Sequence, residues 1–488
     1  MRALSLFGLL MILFFGILGC TNEEDQSPPI VVTEQLLFVG AEQVRASGRL
    51  ITNREITAIE HGFEVATEPS FGNSVKVSLG EKNQPGRFIG ELDGLSINTA
   101  YYIRAFAVVE GEELLGDPVP FETLDPQAST FAPTFGRAGQ TLTIFGVNLS
   151  ASTRVFFGDQ EAQIVRNSFE SRLSVLVPQA AGEVRVPVRI QVQDKVISLG
   201  EFEYQAGKYT KITEVPDGLR IYHTVSFLKG NSFFFGLGQI RNAGLFQAFQ
   251  RYDLLENRWQ EVIFPGSGRI SAFGTESYIG GGAVETGRDE FVADRTFWKQ
   301  ASGGFQQLTD LPFQSRESLV FEFGGSLYVL GGQDGFATRV FRYETVSAVW
   351  TELPQAPISL NSNFSHFVYQ GSVFVVTTVG TIFQFFPESG QWTYRGDFPG
   401  NRGQSINPVA QVLGNKAYIG LFRRSSEMWE LNLDTWEWKL KNEIPGFPQS
   451  INAGAFTWNG AVYILRGPEI SVFGNIPFEL YRFEPDAI

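Results

Sequence analysis

Cysteine occurs once in the 488 residues, at Cys20, and histidine three times. An internal disulfide and a cysteine-rich metal site are thereby excluded, and a multi-histidine metal centre has too few ligands. Basic residues are also short. Against 52 Asp and Glu there are 38 Lys and Arg, a net charge of −14, which is the wrong sign for a general polyanion binder. DNA and RNA are therefore not expected partners. Charged residues make up only 18%, below the roughly 25% of average soluble proteins, while 43% are apolar. With 52 glycines and 23 prolines scattered along it, the chain reads as folded and turn-rich. No glycine-rich phosphate loop leading into a helix is visible, and beyond the N-terminal segment no apolar run has spanning length. The length suits about three domains.

Arg2 is followed by an apolar run from Ala3 to Leu18, short for a membrane span and suited to a secretory signal. The run ends Ile17-Leu18-Gly19-Cys20, which resembles the lipobox of bacterial lipoproteins. That resemblance implies a removed segment 1–19 and acyl chains on Cys20, each buried CH₂ contributing about 0.8 kcal/mol to anchoring. Thr21-Asn22-Glu23-Glu24-Asp25-Gln26 then resembles the surface-export signal of Bacteroidota lipoproteins, within an acidic tether over 20–30. The location implied is the outer membrane, facing the exterior.

From 31 to 125 short alternating runs broken by Gly, Asn and Pro predict a small antiparallel sandwich. Leu95 and Tyr101, in the stretch from Leu95 to Ala107, stand at the tyrosine-corner spacing and resemble a fibronectin type III domain. The core Trp of that family is missing, so Phe63 or a neighbour should fill its space, and His61 is expected at the surface or a strand edge. From 126 to 205, Phe131–Leu149, Val155-Phe156-Phe157-Gly158 and Val177-Pro178 are similar to IPT/TIG immunoglobulin-like domains. Gly139, Gly146 and Gly158 are expected at turns. Both families imply spacers or binding platforms.

The C-terminal part, 206–488, holds all eight tryptophans. Trp259, Phe305, Trp350, Trp392 and Trp438 recur at intervals of 46, 45, 42 and 46 residues, a period that indicates a propeller or solenoid. Seven residues before each stands another large apolar residue: Tyr252, Trp298, Tyr343, Phe385 and Leu431. Upstream strands end in paired glycines at Gly281-Gly282 and Gly331-Gly332, and Gly236-Leu237-Gly238 splits the pair. The pattern resembles the kelch repeat, whose family folds as a β-propeller of four-stranded blades. Six blades follow. The aromatic expected after Phe483 would fall beyond Ile488, so Tyr209–Pro216 should supply the outer strand of the last blade and close the ring. The expected fold class is all-β: two immunoglobulin-like β-sandwiches followed by a six-bladed kelch-type β-propeller.

If strands alternate in direction, the loops between blades and the loops joining second to third strands emerge on one face. Arg220, Arg269, Arg316 and Arg402 lie in the former, beside Asn361 in another. Arg241, Arg288, Arg423 and Arg424 lie in the latter, with Phe246 and Phe336. Guanidinium forks bind carboxylate, sulfate or phosphate, and aromatic rings stack on sugar faces, so these residues form the candidate ligand site. The same loops carry Asp217, Glu285, Asp289, Glu290, Asp334 and Glu469, with which the arginines would otherwise pair. A galactose-oxidase-like copper site is excluded, since the propeller has only His223 and His366 and no cysteine. A metal-free sugar mutarotase or epimerase, needing an acid/base pair such as Glu285 with an arginine, stays open. His223 and His366 are expected as packed residues at the starts of inner strands. No metal or cofactor is expected. The reading is a lipid-anchored surface protein that binds a glycan, anionic ones included. The alternative is an interaction or adhesion subunit with an envelope protein as partner.

Overall fold

Period-two alternation makes strands wherever one face can be buried, and here it yields an all-β chain. The computed structural model describes residues 27–488 apart from 288, 289, 302, 303 and 405. The expected signal segment, Cys20, the acidic run to Gln26 and Arg288 lie outside the described residues. Among the described residues the helical content is one short turn, Pro216–Gly218, and no helix is long and apolar enough to cross a membrane. The chain divides into two compact units, of which the second contains Phe135–Arg137, Ala180–Arg185 and Glu203–Ile488.

The first immunoglobulin-like sandwich has a three-stranded sheet in the order Ile30–Val39, Gln43–Ile51, Gly86–Asp93. Its other sheet runs Val75–Ser78, Ala58–Ala66, Ala100–Val109, Glu112–Leu115, with Val119–Glu122 also on Ala100–Val109. Phe63 is fully buried against Phe88, ring centroids 5.3 Å apart. Leu95 and Tyr101 join this core, and the Tyr101 hydroxyl accepts the Ser96 N–H at 3.0 Å. His61 is buried, not at the surface, because its strand is central and packed on both faces. Its Nδ1 lies 2.7 Å from the Gly80 carbonyl, and its ring meets Phe88 edge-on.

In the second sandwich Gln160–Ser168 pairs with Arg154–Phe157 through its first residues and with Arg172–Leu176 through the rest, so one strand serves both layers. Gly146 is no turn residue. It sits inside the strand Thr141–Val147, where a Cβ would lie 2.3 Å from the Gln127 carbonyl.

Six four-stranded antiparallel sheets form the propeller. Their innermost strands are Val225–Lys229, Phe273–Gly274, Leu319–Phe323, Ser365–Tyr369, Val409–Leu413 and Ser450–Trp458. The sixth blade takes its outer strand, Lys208–Glu214, from the start of the domain, with Tyr209 opposite Phe483 and the two rings stacked at 4.5 Å. The repeated aromatics face their partners across the outer strand pair: Tyr252 and Trp259, Tyr343 and Trp350, Phe385 and Trp392, Leu431 and Trp438. Blade two differs, with Phe305 opposite Gln300 and not Trp298. There the flanking pair is Ala301 and Gly304, a shorter connection than that between Asp253 and Arg258 in blade one.

The glycine pairs join neighbouring blades. A Cβ on Gly281 would stand 2.3 Å from the Ser315 carbonyl, and one on Gly331 2.2 Å from that of Leu360. The next N–H, of Gly282 or Gly332, donates to the same carbonyl at 2.6 or 2.9 Å. In blade one Gly238 keeps the corresponding bond to Arg269, while Leu237 takes the left-handed conformation, φ 51°, in place of the first glycine.

Candidate functional site

Inner strands begin at the axis of the ring, and their first residues enclose a central cavity of about 440 Å³. All six blades contribute to it, through Ile221–Ser226, Ser271–Gly274, Ser318–Val320, Ser362–His366, Ile406–Gln411 and Ile451–Ala455. Arg423, Glu469 and Ile470 add to the lining from second-to-third strand loops. Its lining mixes hydroxyl, carboxamide and imidazole groups with apolar side chains.

A belt of backbone hydrogen bonds runs round this cavity from blade to blade. Ser271 N–H donates to His223 O at 3.0 Å, Glu317 to Ser271 at 3.0 Å, Ser362 to Glu317 at 2.7 Å and Asn407 to Asn363 at 3.1 Å. In blade six a side chain takes over, Asn452 Nδ2 reaching Asn407 O at 2.7 Å. Arg466 holds that carboxamide, Nη1 to Oδ1 at 2.7 Å, and burial lowers its guanidinium to about 10. Four belt residues are non-glycine in the left-handed region: His223 (φ 55°), Ser271 (55°), Glu317 (60°) and Asn407 (48°). Each costs about 1–3 kcal/mol, which the surrounding ring must offset. His223 is exposed in the cavity, and His366 is half-buried. Enclosure by the wall holds the imidazolium of His366 down to about 4, so it is neutral at pH 7.

The arginines are distributed otherwise than a free cationic face would require. Arg220 is buried, donating to the carbonyls of Glu469 (2.8 Å), Val472 (3.0 Å) and Gly474 (3.2 Å) and to the Tyr222 hydroxyl. Arg241 donates Nε to Ile470 O at 3.1 Å and lies over the Phe473 ring at 5.0 Å. Arg423 and Arg424 both bind the Glu469 carboxylate, itself 1% exposed. Together they hold its carboxyl near 2, well below the usual range. Four of the expected arginines thus converge on one loop, Glu469–Gly474. The others among the described residues, Arg269, Arg316 and Arg402, do not join them. Arg269 is 1% exposed and bonded to Gly281 O, Thr296 Oγ1 and Asp294. Arg316 pairs with Asp334, and Arg402 donates to Val379 O. Phe246 packs into the core between blades six and one, and Phe336 lies near Phe313 and Phe341. Glu285 is exposed on the extra hairpin Ala283–Gly287/Glu290–Ala293 and does not line the cavity. Of the expected ligand-binding residues that are described, Arg423 alone lines it.

Residues 126–205 match the family model of the IPT/TIG domain. The cavity lining falls outside the IPT/TIG domain, between Ile221 and Ile470. No curated protein matches the chain. Solved structures to which it is similar include that of YjhT, at 14% identity over 55% of this chain and 95% of that one, TM-score 0.43. Another is a protein of unknown function from Bacteroides thetaiotaomicron VPI-5482, at 13% identity over 74% and 98%, TM-score 0.40. A third is an auxiliary nutrient binding protein from Bacteroides ovatus ATCC 8483, at 14% identity over 74% and 97%, TM-score 0.37.

The cavity residues went unread in the sequence apart from Arg423, Glu469 and the two histidines. A signal for the belt exists. His223, Ser271, Glu317, Asn363, Asn407 and Asn452 follow one another at 48, 46, 46, 44 and 45 residues, the same period as the aromatics but without a shared residue type.

Proposed function

We propose that this chain is a cell-surface lipoprotein, acylated at Cys20, that binds a glycan in the central cavity of its propeller. The observation that carries the reading is the belt: strained, non-glycine residues from four of the six blades line or adjoin a cavity that every blade helps to build, and such strain concentrates at functional sites. Clustered hydroxyls, carboxamides and imidazoles suit a polyhydroxylated ligand, and about 440 Å³ accommodates one or two sugar units. Two guanidiniums share the single carboxylate of Glu469, leaving one positive charge in excess at the rim. The Nε of Arg423 is buried and finds no acceptor among the described residues. An acidic substituent on the glycan would be met there.

The test is a glycan array probed with the full chain carrying Cys20→Ser. Binding of a sugar supports the reading; a blank array favours an envelope protein as partner. Lipid labelling checks the anchor, since the Cys20→Ser chain should take up no acyl label and label at the wild-type level would refute it.

A second reading follows from the two imidazoles in the cavity, which are placed to exchange protons with a bound sugar without a metal. Faster anomer exchange on adding the protein would show it.

A further inference from the structure

We propose that the bound glycan is an oligosaccharide whose terminal unit enters the cavity and whose next ring stacks on Phe473. The proposal rests on the glycan reading above. Phe473 is 86% exposed, on a loop that is otherwise tied down. Three of that loop's carbonyls accept from Arg220, a fourth from Arg241, and its one carboxylate binds Arg423 and Arg424. The Arg241 guanidinium stands over the Phe473 ring at 5.0 Å, so that one face of the ring is backed and the other is open. A large apolar group left in water on a rigid loop is preorganised, because little ordering entropy remains to be lost on binding.

Continuity with the cavity decides what covers the ring. Ile470, three residues earlier on the same loop, lines the cavity and is 46% exposed. A ligand that extends out of the cavity past Ile470 is directed along the loop on which Phe473 stands exposed. One phenyl ring and one isoleucine fall far short of the roughly 800 Å² per partner that a stable protein interface buries. They match the C–H face of a single pyranose, which an aromatic ring covers without demanding hydrogen bonds. The excess charge from Arg423 and Arg424 lies at the base of the same loop, so an acidic unit would be read at the rim and its neighbour at the ring.

The experiment uses a printed series of neutral and acidic glycans, graded from mono- to hexasaccharide, with the full chain carrying Cys20→Ser alone or together with Phe473→Ala or Phe473→Trp. The alanine variant should keep its melting temperature and its monosaccharide binding, and lose about 3- to 10-fold in affinity for disaccharides and longer glycans. Tryptophan should restore the gain from the second sugar. Oligosaccharide binding unchanged by Phe473→Ala, or a parent chain that binds mono- and oligosaccharides equally, overturns the platform and leaves the cavity reading standing. A parent chain that binds no glycan overturns both.

Discussion

Arg424 grips Glu469 at two points, Nε to Oε1 at 2.6 Å and Nη2 to Oε2 at 2.8 Å, while Arg423 Nη2 shares Oε2 at 2.8 Å. The folded carboxyl titrates near 2 and the unfolded one near its ordinary 4.5. As pH falls through that window the unfolded chain takes up the proton first, so stability present above pH 4.5 is lost towards pH 2. The contribution is at most about 3 kcal/mol, and less because the two guanidiniums are 28% and 36% exposed. Glu469→Gln should therefore destabilise the protein by about 1–3 kcal/mol at pH 7 in denaturant titrations and flatten the acid limb below pH 4.5. An unchanged acid limb would show that the pair contributes nothing.

His366 acts in a different window. Its folded value of about 4 lies below the ordinary 6.5, so between these pH values the unfolded chain binds a proton that the folded chain does not. Stability should fall as pH drops from 6.5 to 4, and His366→Asn should remove that slope. Imidazole resonances followed by NMR should move near pH 4; movement near 6.5 would mean that the cavity wall leaves the ring fully hydrated.

Tyr209 closes the ring through its stacking on Phe483. Tyr209→Ala should cost about 2–4 kcal/mol and reduce amide protection along Glu479–Glu484, the strand that pairs with Lys208–Glu214. Protection there equal to that of the parent would count against closure by this strand.

Arg269 and Arg402 separate structure from binding. Arg269 is enclosed between Gly281, Thr296 and Asp294, so Arg269→Ala should destabilise by about 3 kcal/mol or more, because it leaves the Asp294 carboxylate without its cation and the acceptors Ser267 O, Gly281 O and Thr296 Oγ1 without their guanidinium donor. Arg402 is exposed, and Arg402→Ala should stay within about 0.5 kcal/mol. Equal melting temperatures for the two variants would contradict this assignment.

The blades were legible because their aromatics recur with a period and face fixed partners, as Tyr343 faces Trp350. Closure was legible for the same reason, since Tyr209 completes the series that Phe483 leaves open. Trp298 and Phe305 keep the spacing without facing one another, because equal spacing in sequence means opposite positions only when the intervening turns have equal length. The partners of the arginines were less legible. Arg220 satisfies its guanidinium with carbonyls of Glu469, Val472 and Gly474, some 250 residues away, and backbone acceptors have no signature in residue type. Belt residues such as Ser271 and Asn407 share a backbone conformation and not a side chain, so a search for repeated residues passes over them.

The most direct measurement is glycan-array binding of the Cys20→Ser chain with and without Asn363→Trp. Asn363 lines the cavity and gives the belt only its backbone carbonyl, so an indole there fills the space while that bond can persist. The account predicts that the parent binds at least one glycan and that Asn363→Trp weakens it by 10-fold or more, about 1.4 kcal/mol, with the melting temperature unchanged. Full binding by the filled variant would contradict a site in the central cavity.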